Sequence, residues 1–478
     1  MSKFSPLVPL LAAGLVLSAA ATDSFTAWSP RPPMGWNSYD AYHGSVTEAQ
    51  IRAVTGFMAD RMKPLGWEYV VVDFLWFHPG PPGWDPSPKK WHAFEVQQKP
   101  GRDGKMAPRM IHDEWGRPLP AVNRFPSAAN GAGFKPLADH VHAQGLKFGI
   151  HLMRGIPAQV VEDNLPIKGT PYHARDIAEP EDVSSFLRGM WHGVDHTKPG
   201  AQEYYDSLFA LYASWGVDFI KADDMLVPPY HAKEIEMMRR AIDRSGRPMV
   251  LSLSYGEAPM SQAAHLRDNA NMWRVSADFW DEWKDLLHLF DLMNAWSPFI
   301  GQNNTWPDAD MIPLGRLCLR GYPGSVSERK EERDSRFTTE EQYALMSLWC
   351  IARSPLMWGG DPLSSSPQAL ALLTNPEVIA VNQQSSGNRQ IWSRPNQPKA
   401  NQRIWVADIP GSADKYFALF NLTDKEAEVP FDFELEYWRS RYRVRDLWQR
   451  VDLGEFSRSF TAHIGAHGGR LYRLTPLP

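Results

Sequence analysis

The sequence predicts an α/β chain, a TIM (β/α)8 barrel followed by a C-terminal antiparallel β-sandwich domain, on three observations. Between Met34 and Trp358, strand-like and helix-like segments alternate about eight times, the rhythm of βα units closing a barrel. Two strand-like runs, Trp215–Asp224 and Met272–Asp278, end in aspartates with a cation, Lys221 or Arg274, shortly before them. From about residue 384 the rhythm changes to short alternating strands separated by turn residues. A doubly wound open sheet is the alternative, but the glycine-rich ligand loop of that fold is missing.

Met34–Asn37 reads as the first strand. Thr47–Leu65 places Ile51, Val54, Met58, Met62 and Leu65 at helical spacing, and the second strand, Trp67–Asp73, follows. Pro136–Gln144 leads to the strand Lys147–His151, Glu203–Trp215 to Val217–Asp223, and His231–Arg244 to Met249–Ser254. Pro259–Asn269 leads to Met272–Asp278, Asp281–Trp296 to a strand near Ile300, and Glu340–Arg353 to Leu356–Trp358. Two long interruptions, about 78–133 and 154–199, follow the second and third strands, on the face where barrels build their sites. Loops of that length are usually functional, and both read as walls of a substrate cleft. Beyond residue 384, Gln402–Val406, Tyr416–Asn421, Glu426–Phe433, Tyr442–Leu447, Ser457–Ala462 and Gly469–Leu474 read as sandwich strands.

Met1-Ser-Lys3, the apolar run Leu7–Leu17 and the small residues Ser18–Ala21 predict a secretory signal peptide over 1–21, with an uncleaved anchor as the alternative. The expected division is therefore leader 1–21, barrel 22–383 and sandwich 384–478, in a protein that is secreted or periplasmic and leaves the membrane after cleavage. A formal charge of -5 without a basic run argues against a nucleic-acid partner. Cys318 and Cys350 are the only cysteines, too few for a disulfide scaffold. A single pair and two buried free thiols fit the sequence equally.

Asp73, Asp223, Asp278 and Asp310 fall at expected strand ends. Any one of them alone is as readily a helix cap; four together, two with a nearby cation, point to a site for a polyhydroxylated substrate. Asp224 points the other way along its strand and is expected to cap or support. There is no Gly-x-Ser-x-Gly elbow, no GxGxxG and no P-loop. Asp308-Ala-Asp310 is a weak metal signal, so no cofactor or metal is expected. Paired-carboxylate chemistry is the enzyme class that remains.

Pro33-Met-Gly-Trp-Asn-Ser38, Val70–Asp73, Lys147–Ile150, Lys221-Ala-Asp223, Trp273-Arg274 with Asp278, and Trp306–Asp310 resemble glycoside hydrolase family 27, the α-galactosidase and α-N-acetylgalactosaminidase relatives. The likeness continues through Ser354–Met357, Asn375–Asn382 and Leu471–Leu474. It implies retaining hydrolysis of terminal α-galactoside-type linkages in an oligo- or polysaccharide. By the resemblance Asp223 is the nucleophile and Asp278 the general acid/base. Asp73, Lys221, Arg274 and Asp310 would bind sugar hydroxyls, and Trp36 would pack on the sugar's apolar face, a core tryptophan being the alternative. Lys221, on the same strand face as Asp223, would keep the nucleophile ionised.

The sugar-reading positions depart from that family. Phe74 stands where galactosidases carry a second aspartate, His151 where they carry a tyrosine, with Arg154 close behind it. Ser254 is of the N-acetylgalactosaminidase type, but Glu257 replaces the small residue that accompanies it there. Met225 and Leu253 replace a disulfide near the nucleophile. The same mechanism on an α-N-acetylgalactosaminide, a β-L-arabinopyranoside or an α-1,6-glucan is therefore an alternative. A non-catalytic carbohydrate-binding protein is the alternative of another class, and the intact aspartate pair argues against it.

Overall fold

The computed structural model describes residues 24–81, 99–100, 106–107, 110–184, 190–320, 331–391, 401–438 and 440–478. The expected leader, 1–21, lies outside them, as do residues 82–98 of the first insertion. Eight parallel strands form one sheet: β1 (Met34–Asn37), β2 (Tyr69–Val72), β3 (Lys147–Met153), β4 (Phe219–Asp223), β5 (Val250–Leu253), β6 (Met272–Arg274), β7 (Trp306–Asp308) and β8 (Leu356–Trp358). Neighbours follow chain order from β1 to β7, and β8 pairs with β1. A parallel bridge from Ile312, just past β7, to Trp358 joins the remaining edge. The ring is the expected (β/α)8 barrel.

Its outer helices are α1 (Glu48–Phe57), α2 (Lys135–Ala143), α3 (Ala201–Trp215), α4 (Ala232–Ser245), α5 (Ala263–Asn269), α6 (Trp283–Trp296), α7 (Thr339–Ile351) and α8 (Pro376–Gln384). Thr47 starts α1 with a capping box, its hydroxyl accepting from the Gln50 N–H while the Gln50 side chain accepts from the Thr47 N–H. The α-helix expected to reach Leu65 stops at Phe57 and gives way to a π turn, Met58–Met62, and a 3-10 turn, Lys63–Leu65. Pro64 lacks the N–H that an α-helical ladder needs.

One strand was misplaced by the pattern. The seventh lies at Trp306–Asp308, and Ile300 instead caps the turn Ser297–Phe299 ahead of a left-handed Gly301. The apolar pair Phe299-Ile300 imitates a strand, whereas the true one is three residues long with Pro307 at its centre. Similarly, β6 ends at Arg274, so Asp278 stands on the following loop rather than at a strand end.

Pairing fixes which side chains face inward. Gly35 and Asn37 are level with Tyr69 and Val71, Gly149 with Val71 and Phe219, and Phe219 with Val250. Tyr69, Val71, Phe219, Val250, Met272, Trp306 and Met357 pack together as an apolar plug inside the barrel. Gly149 is needed there, because a Cβ would sit 2.9 Å from the Val71 side chain and 3.0 Å from that of Phe219. With a side-chain period of two, the next inward positions towards the strand ends are Asn37, Asp73, His151, Lys221, Asp223, Ser252, Ser254, Arg274 and Asp308. The polar site therefore stands directly on the plug.

The second insertion builds a three-stranded antiparallel sheet, Ile156–Pro157, Trp191–Val194 and Ala178–Val183, with Trp191–Val194 in the middle. Eight further strands follow the barrel, two more than expected: β9 (Ser386–Ile391), β10 (Gln402–Asp408), β11 (Lys415–Asn421), β12 (Ala427–Asp432), β13 (Tyr442–Asp446), β14 (Val451–Phe456), β15 (Ser459–Ile464) and β16 (Gly469–Pro476). They form a six-stranded sheet, β9-β10-β11-β16-β13-β14, faced by the pair β12-β15. Ile404, Val406, Phe417, Leu419, Val429, Phe431 and Phe460 fill the space between these two layers. Cys318 and Cys350 are both buried and are not joined in a disulfide. No helix among the described residues is long and apolar enough to cross a membrane.

Candidate active site

Asp223 ends β4 with both carboxylate oxygens held. His151 Nε2 lies 3.0 Å from Oδ2, so that nitrogen carries the proton it donates, and the Ser254 hydroxyl donates to Oδ1 at 2.8 Å. The Asp224 N–H reaches Oδ1 at 3.1 Å. Burial alone would push this carboxyl up. The His151 hydrogen bond and charge, then Lys221 and Ser254, override burial and hold it well below the usual carboxylate range. The direct partners of Asp223 are thus two residues expected to read the sugar, His151 and Ser254. Lys221 instead gives its hydrogen bond to Asp73 Oδ2, at 2.9 Å, and acts on Asp223 only through its field.

Asp73 is buried and receives three donors, Lys221, the Asn37 amide at 2.7 Å and the Phe74 N–H at 2.7 Å. Asn37 is a site residue that the sequence reading missed; its inward position on β1, two residues past Gly35, was the available signal. Phe74 is half-buried, and its ring lies 4.9 Å from that of His151, 6.2 Å from Phe77 and 6.4 Å from Trp191 of the inserted sheet. Apolar surface therefore occupies the place where the related galactosidases carry a second carboxylate.

Trp36 is corrected. It pairs level with Val70 on the outward face of β1, is 0% exposed, and its Nε1–H donates to the Gly360 carbonyl at 2.8 Å. A ring with no surface cannot pack on a ligand. Tyr39, three residues later and partly exposed, presents an aromatic ring 5.9 Å from Lys221 Nζ. Its neighbour Asp40 is fully buried, and its Oδ2 has no hydrogen-bond partner among the described residues. Burial, then the charge of Asp310, pushes the Asp40 carboxyl well above the usual carboxylate range. Gly359 makes room for it, since a Cβ there would lie 1.9 Å from Asp40 Oδ2.

Asp278 is the most open of the four aspartates, with its side chain 37% exposed and Oδ1 3.5 Å from Arg274 Nη2. The same Arg274 nitrogen lies 2.6 Å from Asp310 Oδ2. Asp310 stands two residues past the end of β7. Arg274 and Asp310 have 3% and 4% of their side chains exposed.

Behind Asp223, Arg154 gathers Asp182 (2.7 Å), Glu234 (2.8 Å) and Asp224 (3.3 Å). Asp182, His231 and Glu234 are the described residues that approach metal-ligand spacing, their ligand atoms lying within 4.8 Å of one another. The guanidinium already supplies the positive charge there. Glu257 stands at the surface, paired with His288 at 2.9 Å. Met225 and Leu253 are both buried in the core around the nucleophile strand.

A carboxylate held well below the usual range, a second carboxylate on an open loop and a lysine–aspartate pair suit acetal chemistry on a sugar. The family model described as alpha galactosidase A matches residues 189–384, and that of the alpha galactosidase C-terminal beta sandwich domain matches 386–474. A GH27 β-L-arabinopyranosidase from Geobacillus stearothermophilus is 43% identical, with a TM-score of 0.85 over 95% of this chain and 98% of that one. A variant of that enzyme solved with arabinose superimposes with a TM-score of 0.86 over 96% of this chain and 100% of that one, at 42% identity. Alpha-galactosidase A of Cellvibrio japonicus is 26% identical over 98% of this chain and 97% of its own length.

Proposed function

As a member of glycoside hydrolase family 27 the chain is an O-glycosidase, and we propose that it is a retaining exo-enzyme whose preferred terminal sugar is β-L-arabinopyranose. One Asp223 oxygen attacks C1 as the bond from C1 to the leaving oxygen breaks, and the proton of Asp278 passes to that oxygen. Asp278, now a carboxylate, takes a proton from water. The water oxygen bonds to C1, and Asp223 departs as the carboxylate. The low-lying acidity of Asp223 and the exposure of Asp278 support this division of labour.

Phe74 carries the sugar assignment. α-D-Galactose and β-L-arabinopyranose share the arrangement of ring hydroxyls, but arabinose has hydrogen where galactose has the hydroxymethyl group. A hydroxymethyl group pressed against the half-exposed ring of Phe74 loses water and gains no acceptor, which costs about 1–3 kcal/mol. A hydrogen there costs nothing. The α-galactoside reading remains the second one, supported by the match to the alpha galactosidase A family model.

The test is release of 4-nitrophenol from the β-L-arabinopyranoside, α-galactoside, N-acetyl-α-galactosaminide and α-glucoside. The arabinoside should lead in kcat/KM by about tenfold or more, Phe74→Asp should move the preference towards galactoside, and Asp223→Asn should abolish turnover. A galactoside preference in the unaltered enzyme would overturn the arabinose assignment. Full activity of Asp223→Asn would overturn the nucleophile.

A further inference from the structure

We propose that Asp310 and Arg274 form a clamp on the acid/base loop, which makes Asp310 a positioning residue for Asp278 rather than a reader of sugar hydroxyls. The inference rests on Asp278 being the acid/base.

The clamp grips the chain on both sides of Asp278. Arg274 Nη2 donates to the carbonyl of Ala277, the residue before it, and the N–H of Phe279, the residue after it, donates to Asp310 Oδ2 at 2.8 Å. The two halves are joined to each other at 2.6 Å. The peptide units flanking Asp278 are therefore both fixed, while its carboxylate stays open to the cleft. The feet of the loop are held as well: the Val275 N–H donates to the Asp308 carbonyl at 2.9 Å, and Asp281 takes Arg333 in two contacts of 2.6 and 3.0 Å.

Asp310 has little left to offer a ligand. Oδ1 accepts the Met311 N–H at 2.7 Å, Oδ2 is shared by Phe279 and Arg274, and the side chain is almost wholly enclosed. Its backbone sits at φ +91°, a conformation that L residues rarely adopt and that costs about 1–3 kcal/mol unless the surroundings impose it. Here its N–H donates to Asp308 Oδ1 at 2.9 Å and its carbonyl accepts from the Trp349 indole at 3.0 Å. A proton donor must meet the departing oxygen at hydrogen-bond distance and direction, so slack in this loop would be felt as poor protonation and not as poor sugar binding.

Leaving-group chemistry separates these two roles. Dinitrophenolate departs without a proton, whereas phenolate and alkoxide need one. On a series of aryl and alkyl glycosides of whichever sugar the enzyme prefers, Asp310→Asn should leave kcat/KM for the dinitrophenyl glycoside within about threefold of the unaltered enzyme. It should lower the poorest leaving groups by about 10²-fold, the scale of general acid catalysis, while the inhibition constant of the free sugar stays unchanged. In an Asp278→Ala background, the same substitution should cost nothing further, because coupled residues are not additive. A loss that is equal across all leaving groups and accompanied by weaker binding of the free sugar would overturn the clamp, as would no loss at all. Should Asp310→Asn fail to fold, Arg274→Lys should show the same widening of the loss from the dinitrophenyl to the alkyl glycosides, on top of any uniform loss from its own contacts, since it keeps the charge beside Asp310 but withdraws the nitrogen from the Ala277 carbonyl. No turnover of any glycoside by the unaltered enzyme would instead remove the glycosidase reading itself.

Discussion

The His151 imidazole holds the Asp223 carboxyl well below the usual carboxylate range. It is fully buried, its Nε2–H points at Asp223, and its Nδ1 has no hydrogen-bond partner among the described residues. Ser254 holds the other oxygen. Replacing His151 with phenylalanine keeps a flat ring beside Phe74 and removes the donor. The sign follows from linkage. The folded carboxyl of Asp223 lies below its ordinary value, and turnover needs the carboxylate, so losing a donor raises the carboxyl and starves the enzyme of nucleophile from higher pH downward. His151→Phe should move the acidic limb of kcat/KM up by about one pH unit or more, since that profile reports groups of the free enzyme. An unmoved acidic limb would show that His151 does not tune Asp223.

At the scale of elements, the barrel was legible because apolar runs of period two ended in Asp223, Ser254 and Asp73, while helices with 3.6-residue spacing lay between them. What was not legible was phase and length. β1 has four residues with buried neighbours on either side, and only pairing with β2 shows that Asn37 faces in and Trp36 faces out. β7 was hidden by Pro307, and Asp40 carried no motif that marked it. Arg154 was visible only as a departure from the related family. In the fold it ties β4 to the inserted sheet: its N–H donates to the Asp223 carbonyl at 3.0 Å, its Nε–H to the Asp224 carbonyl at 3.1 Å, and its guanidinium grips Asp182. Burial, partly offset by Arg154, pushes Asp224 from the ordinary 3.8 up to about 6. A carboxyl raised on folding contributes stability that is full below its unfolded value and is lost as pH rises through the folded one. Asp224→Asn removes that loss. Its melting temperature should therefore gain on the unaltered protein between about pH 4 and pH 7, whatever pH-independent cost the substitution itself carries. A difference that does not change with pH would dismiss the raised carboxyl.

Over the whole molecule, the six-stranded sheet is apolar on both faces. Ile404, Val406, Phe417 and Leu419 face β12 and β15, whereas Trp405, Ala407, Ala418, Phe420 and Leu471 belong to the same continuous core as the barrel helices. Phe420 meets Phe290 of α6 edge to face at 4.9 Å, and α7 packs on β11 and β16. At the rim of this junction His467 stacks on Trp283 at 4.0 Å and lies between Glu341 and Asp424, while Arg470 reaches Glu340 at 2.6 Å. An interface this apolar does not open without exposing core, so barrel and sandwich should unfold together. Phe420→Ala leaves a cavity between them and should lower stability by about 3–5 kcal/mol. The loss should appear as a shift of one cooperative calorimetric transition to lower temperature, with kcat/KM at room temperature unchanged because the site lies across the barrel mouth. Two separated transitions, one of them unmoved by the substitution, would mean instead that the sandwich folds independently of the barrel it covers.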